Sequence, residues 1–142
     1  MEELDNGCKL GIDSWPDTAC AGKHAFVEEF VAGKSVTATG FTLSLGTLDN
    51  LPIANVLYAC DLENGTTVIL ESNNSIYMGS EMDNSLLNPI QMEENDVKVD
   101  IRPSTYYPNV VDAQTVIFKD GTRIPILYNG VLPYIAARRP TP

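Results

Sequence analysis

Turn-forming residues punctuate the chain at short intervals, and the apolar runs between them are rich in Val, Ile, Thr and Tyr. Half-buried strands have that composition, so the fold is expected to be mainly β. Residues 53–60 (IANVLYAC) and 66–71 (TTVILE) flank residues 61–65 (DLENG), whose Asn-Gly end supplies the positive φ a hairpin loop needs. A second hairpin is predicted where residues 115–119 (TVIFK) and 122–127 (TRIPIL) flank Asp120-Gly121, the two-residue spacing favoured by type I′ turns. Pro125 lacks a ladder donor, which puts its strand at a sheet edge or that position on a non-bonded site. One short helix is predicted over residues 89–95: Asn88 can cap it, Pro89 fits its first position, and Gln91 sits where a capping box has its third residue. Residues 25–30 (AFVEEF) fit helix or strand, residues 102–108 (RPSTYYP) read as a proline-bracketed loop, and residues 136–142 (AARRPTP) as a frayed, linker-like tail. No internal repeat or low-complexity tract interrupts the pattern.

Length makes this one domain rather than two, since 142 residues bury a single core. Hydrophobic residues at 44% and charged ones at 20% are near the globular average. Nine Lys and Arg against nineteen Asp and Glu give a net charge of -10, a surface that repels phosphate backbones. Nucleic acid is therefore not an expected partner, and the Arg138-Arg139 pair holds too few charges to anchor a duplex. The first residues, MEELDN, are acidic where a secretory signal is basic and then apolar, and no apolar run reaches the length of a membrane helix. A cytoplasmic protein without membrane partners is the expectation. In that setting Cys8, Cys20 and Cys60 are expected to be reduced thiols, and the sequons at Asn64 and Asn73 unused.

Candidate chemistry centres on residues 10–14 (LGIDS), an apolar run that delivers a carboxylate and then a hydroxyl, with Asp17-Thr18 close behind. An acid protease needs an Asp at the end of a rigid strand, facing a second Asp so that the two share a proton and activate water. One lobe supplies one such Asp, so the chain would have to dimerise, with two-fold symmetry bringing Asp13 of each copy to the axis. Asp-Ser is also an ordinary turn dipeptide, so the wider pattern has to carry the reading. Other clusters point elsewhere less well. Cys20, His24, Cys8 and Cys60 could in principle ligate zinc, but the short Cys-x-x-Cys spacing is absent and buried inert thiols are the expected state. His24 is the sole histidine and no Gly-x-Ser-x-Gly elbow accompanies it. Glu28-Glu29, Glu93-Glu94 and Asp96 read as a solvated face, and the six tyrosines as strand packing. No metal or cofactor is expected.

Residues 10–18 (LGIDSWPDT) resemble the Asp-Ser-Gly-Ala-Asp/Ser loop of copia-type retrotransposon aspartic proteases, and more closely the Asp-Ser/Asn-His-Ala-Asp-Thr variant of related elements. Downstream, residues 75–78 (SIYM) and 85–92 (SLLNPIQM) resemble that family's strand and its Leu-Leu-Ser-x-x-Gln-Leu helix start, and residues 127–131 and 138–141 extend the likeness to the end of the chain. The resemblance implies a single-lobe, retropepsin-like closed β-barrel with one short helix. It divides the chain into an extension (residues 1–9), the domain (10–135) and a tail (136–142). It also implies an aspartic peptidase-like hydrolase of a retroelement polyprotein, cleaving polypeptide as a homodimer. Asp13 would be the catalytic aspartate, Ser14 the hydroxyl bracing the loop across the dimer, and Asp17 a contact to substrate backbone. Residues 61–65 would be a flap by position.

Two departures from the family pattern bear on activity. Trp15 stands where such loops have Gly, which lets water and peptide close to the dyad, and its indole must bury itself or stand in the cleft. Pro16 deletes a backbone donor and pushes Trp15 from the α region. The rival readings are a pseudoprotease that keeps the barrel as an interaction module, and an unrelated small β-barrel binding module.

Overall fold

In the computed structural model, residues 7–14, 16, 18–39 and 47–141 are described, with side chains left aside at 37–39 and 47–49. The chain is mainly β, with one short helix. The strands are β1 (Gly7–Ile12), β2 (Cys20–Gly22), β3 (Phe26–Thr39), β4 (Thr47–Asp61), β5 (Thr67–Gly79), β6 (Ser85–Leu87), β7 (Lys98–Asp100), β8 (Thr115–Ile117), β9 (Arg123–Pro125), β10 (Leu127–Asn129) and β11 (Leu132–Arg138). The helix α1 (Pro89–Glu94) lies between β6 and β7.

Eight strands form one sheet in the order β10-β11-β1-β6-β2-β5-β4-β3, and β11 pairs a second time, with β4, through Arg138 and Ala59. A separate sheet has the order β7-β8-β9. β1 alternates outward and inward, placing Cys8, Leu10 and Ile12 in the core with Val56, Tyr58, Ile126 and Ile135. It lies inside the sheet, antiparallel to β11 on one side and parallel to β6 on the other. The ambiguous residues 25–30 fall mostly in β3, where Phe26 pairs with Leu57 of β4.

Both expected hairpins form, and they close in the same way. Leu62 N–H donates to Thr66 O at 2.8 Å and Gly65 N–H to Leu62 O at 3.0 Å; Phe118 donates to Thr122 O at 2.8 Å and Gly121 to Phe118 O at 2.9 Å. These are three-residue loops, a type I turn followed by a glycine bulge, with Gly65 at φ 87° and Gly121 at φ 92°. The two-residue type I′ turn expected at Asp120-Gly121 is thus corrected, since among that pair only the glycine takes positive φ. An Asx bond favours the longer loop in each case: Asn64 Oδ1 accepts from Thr66 N and Asp120 Oδ1 from Thr122 N, both at 2.9 Å. Pro125 lies on β9, an edge strand, where its missing donor costs no ladder bond on the open side.

The proline-bracketed segment after β7 is a run of turns held by side chains. Arg102 grips the buried Asp100 through Nε at 3.0 Å and Nη2 at 2.7 Å, and Tyr128 Oη donates to the Ile101 carbonyl. The reading of residues 136–142 as a frayed tail is corrected. Ala136, Ala137 and Arg138 are β11 residues that pair with Lys9, Cys8 and Gly7, and Ala137 is buried. The ladder therefore crosses both expected domain limits, because residues 7–9 and 136–138 are each other's partners.

Candidate functional site

Asp13 follows directly on β1, and its backbone N–H donates to Leu87 O at 3.0 Å, continuing the parallel β1–β6 ladder by one bond. Leu10 and Ile12 anchor the strand in the core while Asp13 and Ser14 emerge exposed. Trp15 and Asp17, the other two predicted site residues, lie outside the described residues.

The loop after Asp13 is braced by α1. Asn88 caps the helix, its Oδ1 accepting from Ile90 N at 2.9 Å and Gln91 N at 3.2 Å, while its Nδ2 donates to Pro16 O at 2.6 Å. Gln91 does not reach back to close a capping box. Its Nε2 donates to Thr18 Oγ1 at 3.0 Å and its Oε1 accepts from Ala19 N at 3.1 Å. Both amide ends are thereby used on the loop, so the two side chains that define the helix start also fix the path of the chain from Pro16 to Ala19. Asn88 is itself buried, and its three partners satisfy its amide there.

Behind the loop, Cys20 is fully buried with its Sγ 3.6 Å from Thr18 O. Burial first, and the nearby Asp13 carboxylate second, push its thiol up to about 11. It is a neutral, inert group under the loop. Cys60 is likewise pushed up to about 12, by burial and then by Cys8. All three cysteines are buried, and among the described residues no three His, Cys, Asp or Glu side chains gather to hold a metal ion.

Two polar contacts of Ser85 not anticipated from the sequence tie β6 to β2 and to β4. Ser85 Oγ accepts from Gly22 N at 2.8 Å and also bonds the buried Tyr58. A Cβ on Gly22 would stand 2.5 Å from Asn84 O and 2.6 Å from Met82 O, so only glycine fits there. The signal was a lone Gly in an otherwise ordinary turn, and its necessity is set by a segment sixty residues away.

The expected flap is not where the sequence suggested. Asp61 accepts from Arg138 Nε at 2.7 Å and Nη2 at 3.1 Å, and from Thr67 Oγ1 at 2.6 Å. Arg138 pairs with Gly7, at the other end of β1 from Asp13. Six extended residues span roughly 20 Å, so the 61–65 turn is pinned far from Asp13 and cannot cover it.

A cavity of about 530 Å³ opens between β5 and α1. Leu70, Tyr58, Leu87, Met92, Val97 and Phe118 supply its apolar lining. It shares α1 with the Asp13 loop, but neither Asp13 nor Ser14 lines it. No protein-family model, curated protein or solved structure matches the chain.

Proposed function

We propose that the chain is an aspartic peptidase-like domain of retroelement type, in which Asp13 from each copy of a homodimer shares a proton with its mate and activates water against a peptide bond. The observation that carries this reading is the presentation of Asp13: exposed, at the end of a buried strand, its amide bound to Leu87 O and the following loop held by Asn88 and Gln91. A carboxylate so fixed can meet a symmetry mate without first being ordered. The pairings β11-β1-β6-β2-β5-β4 and back to β11 support the closed barrel that this family implies. Ser14 would brace the loop across the dimer, and Asp17 would meet substrate backbone.

A second reading, the pseudoprotease, is favoured by Pro16. Its carbonyl is committed to Asn88, and as a proline it offers no N–H toward the dyad. One assay separates the two. Wild type and Asp13→Asn are incubated with a mixed peptide library across roughly pH 3 to 7, the range in which carboxylate dyads titrate. The protease reading expects acid-dependent cleavage that Asp13→Asn abolishes; cleavage indifferent to that change defeats it. If wild type is silent but Trp15→Gly with Pro16→Ala cleaves, the pseudoprotease reading holds.

A further inference from the structure

β5 has two edges, and they are used unequally. Along one, residues from Thr67 to Ile76 pair with β4. Along the other, pairing with β2 begins only at Ile76. Among the described residues, no strand pairs with that second edge before Ile76. The open stretch is not simply bathed in solvent. It forms one wall of the 530 Å³ cavity, through residues 70–74, and Gln91, Met92 and Glu94 of α1 with its C-cap Asn95 form the opposite wall.

A sheet edge facing a helix across an apolar floor is the geometry by which an extended peptide is taken up as an extra strand. The volume lies within the range of ligand sites, and the extended run of residues 70–73, which ends at Asn74 with φ 55°, spans about 13 Å. Among the described residues, few side chains occupy this edge. Asn74 N–H is held by Asn55 Oδ1 at 2.9 Å, and Ser72 O accepts one bond, from Ser75 Oγ at 3.3 Å, which leaves its second lone pair. The charges on the walls are of one sign: Glu71 on β5 and Glu94 on α1, both exposed, with no Lys or Arg among the lining residues. A second copy of this chain, carrying net charge -10, is a poor match for such a rim.

We propose that this groove binds a basic, extended polypeptide segment, which adds in register to the free edge of β5, sets apolar side chains on the floor over Val97 and Phe118, and meets Glu71 and Glu94 with its cations. The site is separate from Asp13 and does not depend on whether the domain cleaves peptides.

The test uses a fluorescein-labelled peptide alternating lysine and valine over about six residues, an ordinary strand length. Saturable binding to the whole chain is expected, with new amide-exchange protection confined to residues 68–73 of β5. N-methylating alternate peptide nitrogens keeps the charge but deletes the ladder donors, and should weaken binding at least about tenfold. Glu71→Lys with Glu94→Lys, two exposed positions, should weaken it similarly and admit a glutamate-valine peptide instead. The proposal is overturned if the peptide fails to saturate, if the N-methylated form binds equally well, or if protection appears on β3 or β10 rather than β5. It is also overturned if the edge proves to be closed by a second copy, seen as β5 protection that grows with protein concentration and excludes the peptide.

Discussion

Asp61 shows how one exposed carboxylate can join distant parts of the chain. Its bonds from Arg138 and Thr67, in that order of effect, hold its carboxyl down to about 2 from the ordinary 3.8. A carboxylate whose folded value is depressed stabilises the fold above its unfolded value and loses that contribution as pH falls toward the folded one. Stability from this contact is therefore complete above about pH 4 and disappears between about pH 4 and 2. Chemical denaturation of Asp61→Asn beside wild type should show a difference at pH 6 that shrinks toward zero near pH 2, and Arg138→Gln should behave the same way. A gap that stays constant with pH would mean the residues act through packing alone. The pair is solvent-exposed, so high salt should narrow the difference as well.

At the scale of elements, α1 does more than its six residues suggest. It buries none of them completely, yet Asn88 and Gln91 tie it to the loop that carries Asp13. Replacing Asn88 separates the two duties. Asn88→Ala removes cap and brace together and should cost about 2 kcal/mol in urea denaturation, combining a lost N-cap with a lost side-chain bond. Asn88→Asp keeps an acceptor for Ile90 and Gln91 but sets a carboxylate against Pro16 O, so helix amides should stay protected while Ala19 exchanges faster. Equal loss of protection in both places would show that helix and loop unfold as one unit.

These elements also mark what could be read in advance. The hairpins and the helix start were legible because their signals are local: Asn64-Gly65, Asp120-Gly121 and Asn88-Pro89 act within a few residues of themselves. The turn length at Asp120 was not, since an Asx bond to Thr122 decides it. Nor was β11: its small residues and flanking prolines look like linker until residues 7–9 are known to lie beside them. Gln91 chose the loop over its own helix end for the same reason, because its partners Thr18 and Ala19 are distant in sequence. Asp13 was legible as a strand-end carboxylate, whereas the 61–65 flap was placed by sequence position and failed on geometry.

For the molecule as a whole, charge is unevenly spread: sixteen of nineteen acidic residues fall at or before Asp96, and six of nine basic residues after it. Two copies meeting through their Asp13 ends would bring together chains that each carry net charge -10, a repulsion screened over only about 8 Å at physiological salt. Sedimentation should accordingly show self-association tightening as salt rises from roughly 0.05 to 0.5 M. A strict monomer at every salt concentration would leave Asp13 without a mate and favour the pseudoprotease.

The pairing of β1 with β11 has a further meaning in time. Gly7 and its partner Arg138 are 131 residues apart in sequence. At about 5–20 residues per second, synthesis leaves β1 waiting on the order of 7–26 s for the strand that covers one of its edges. Until then Cys8, Leu10 and Ile12 belong to an apolar strand with an open flank, the kind of segment that misassociates. Contacts of such long sequence separation also slow the final closure. A ribosome-bound chain should hence gain protease resistance late and in one step, and its hold on chaperones should end when residues 132–138 emerge.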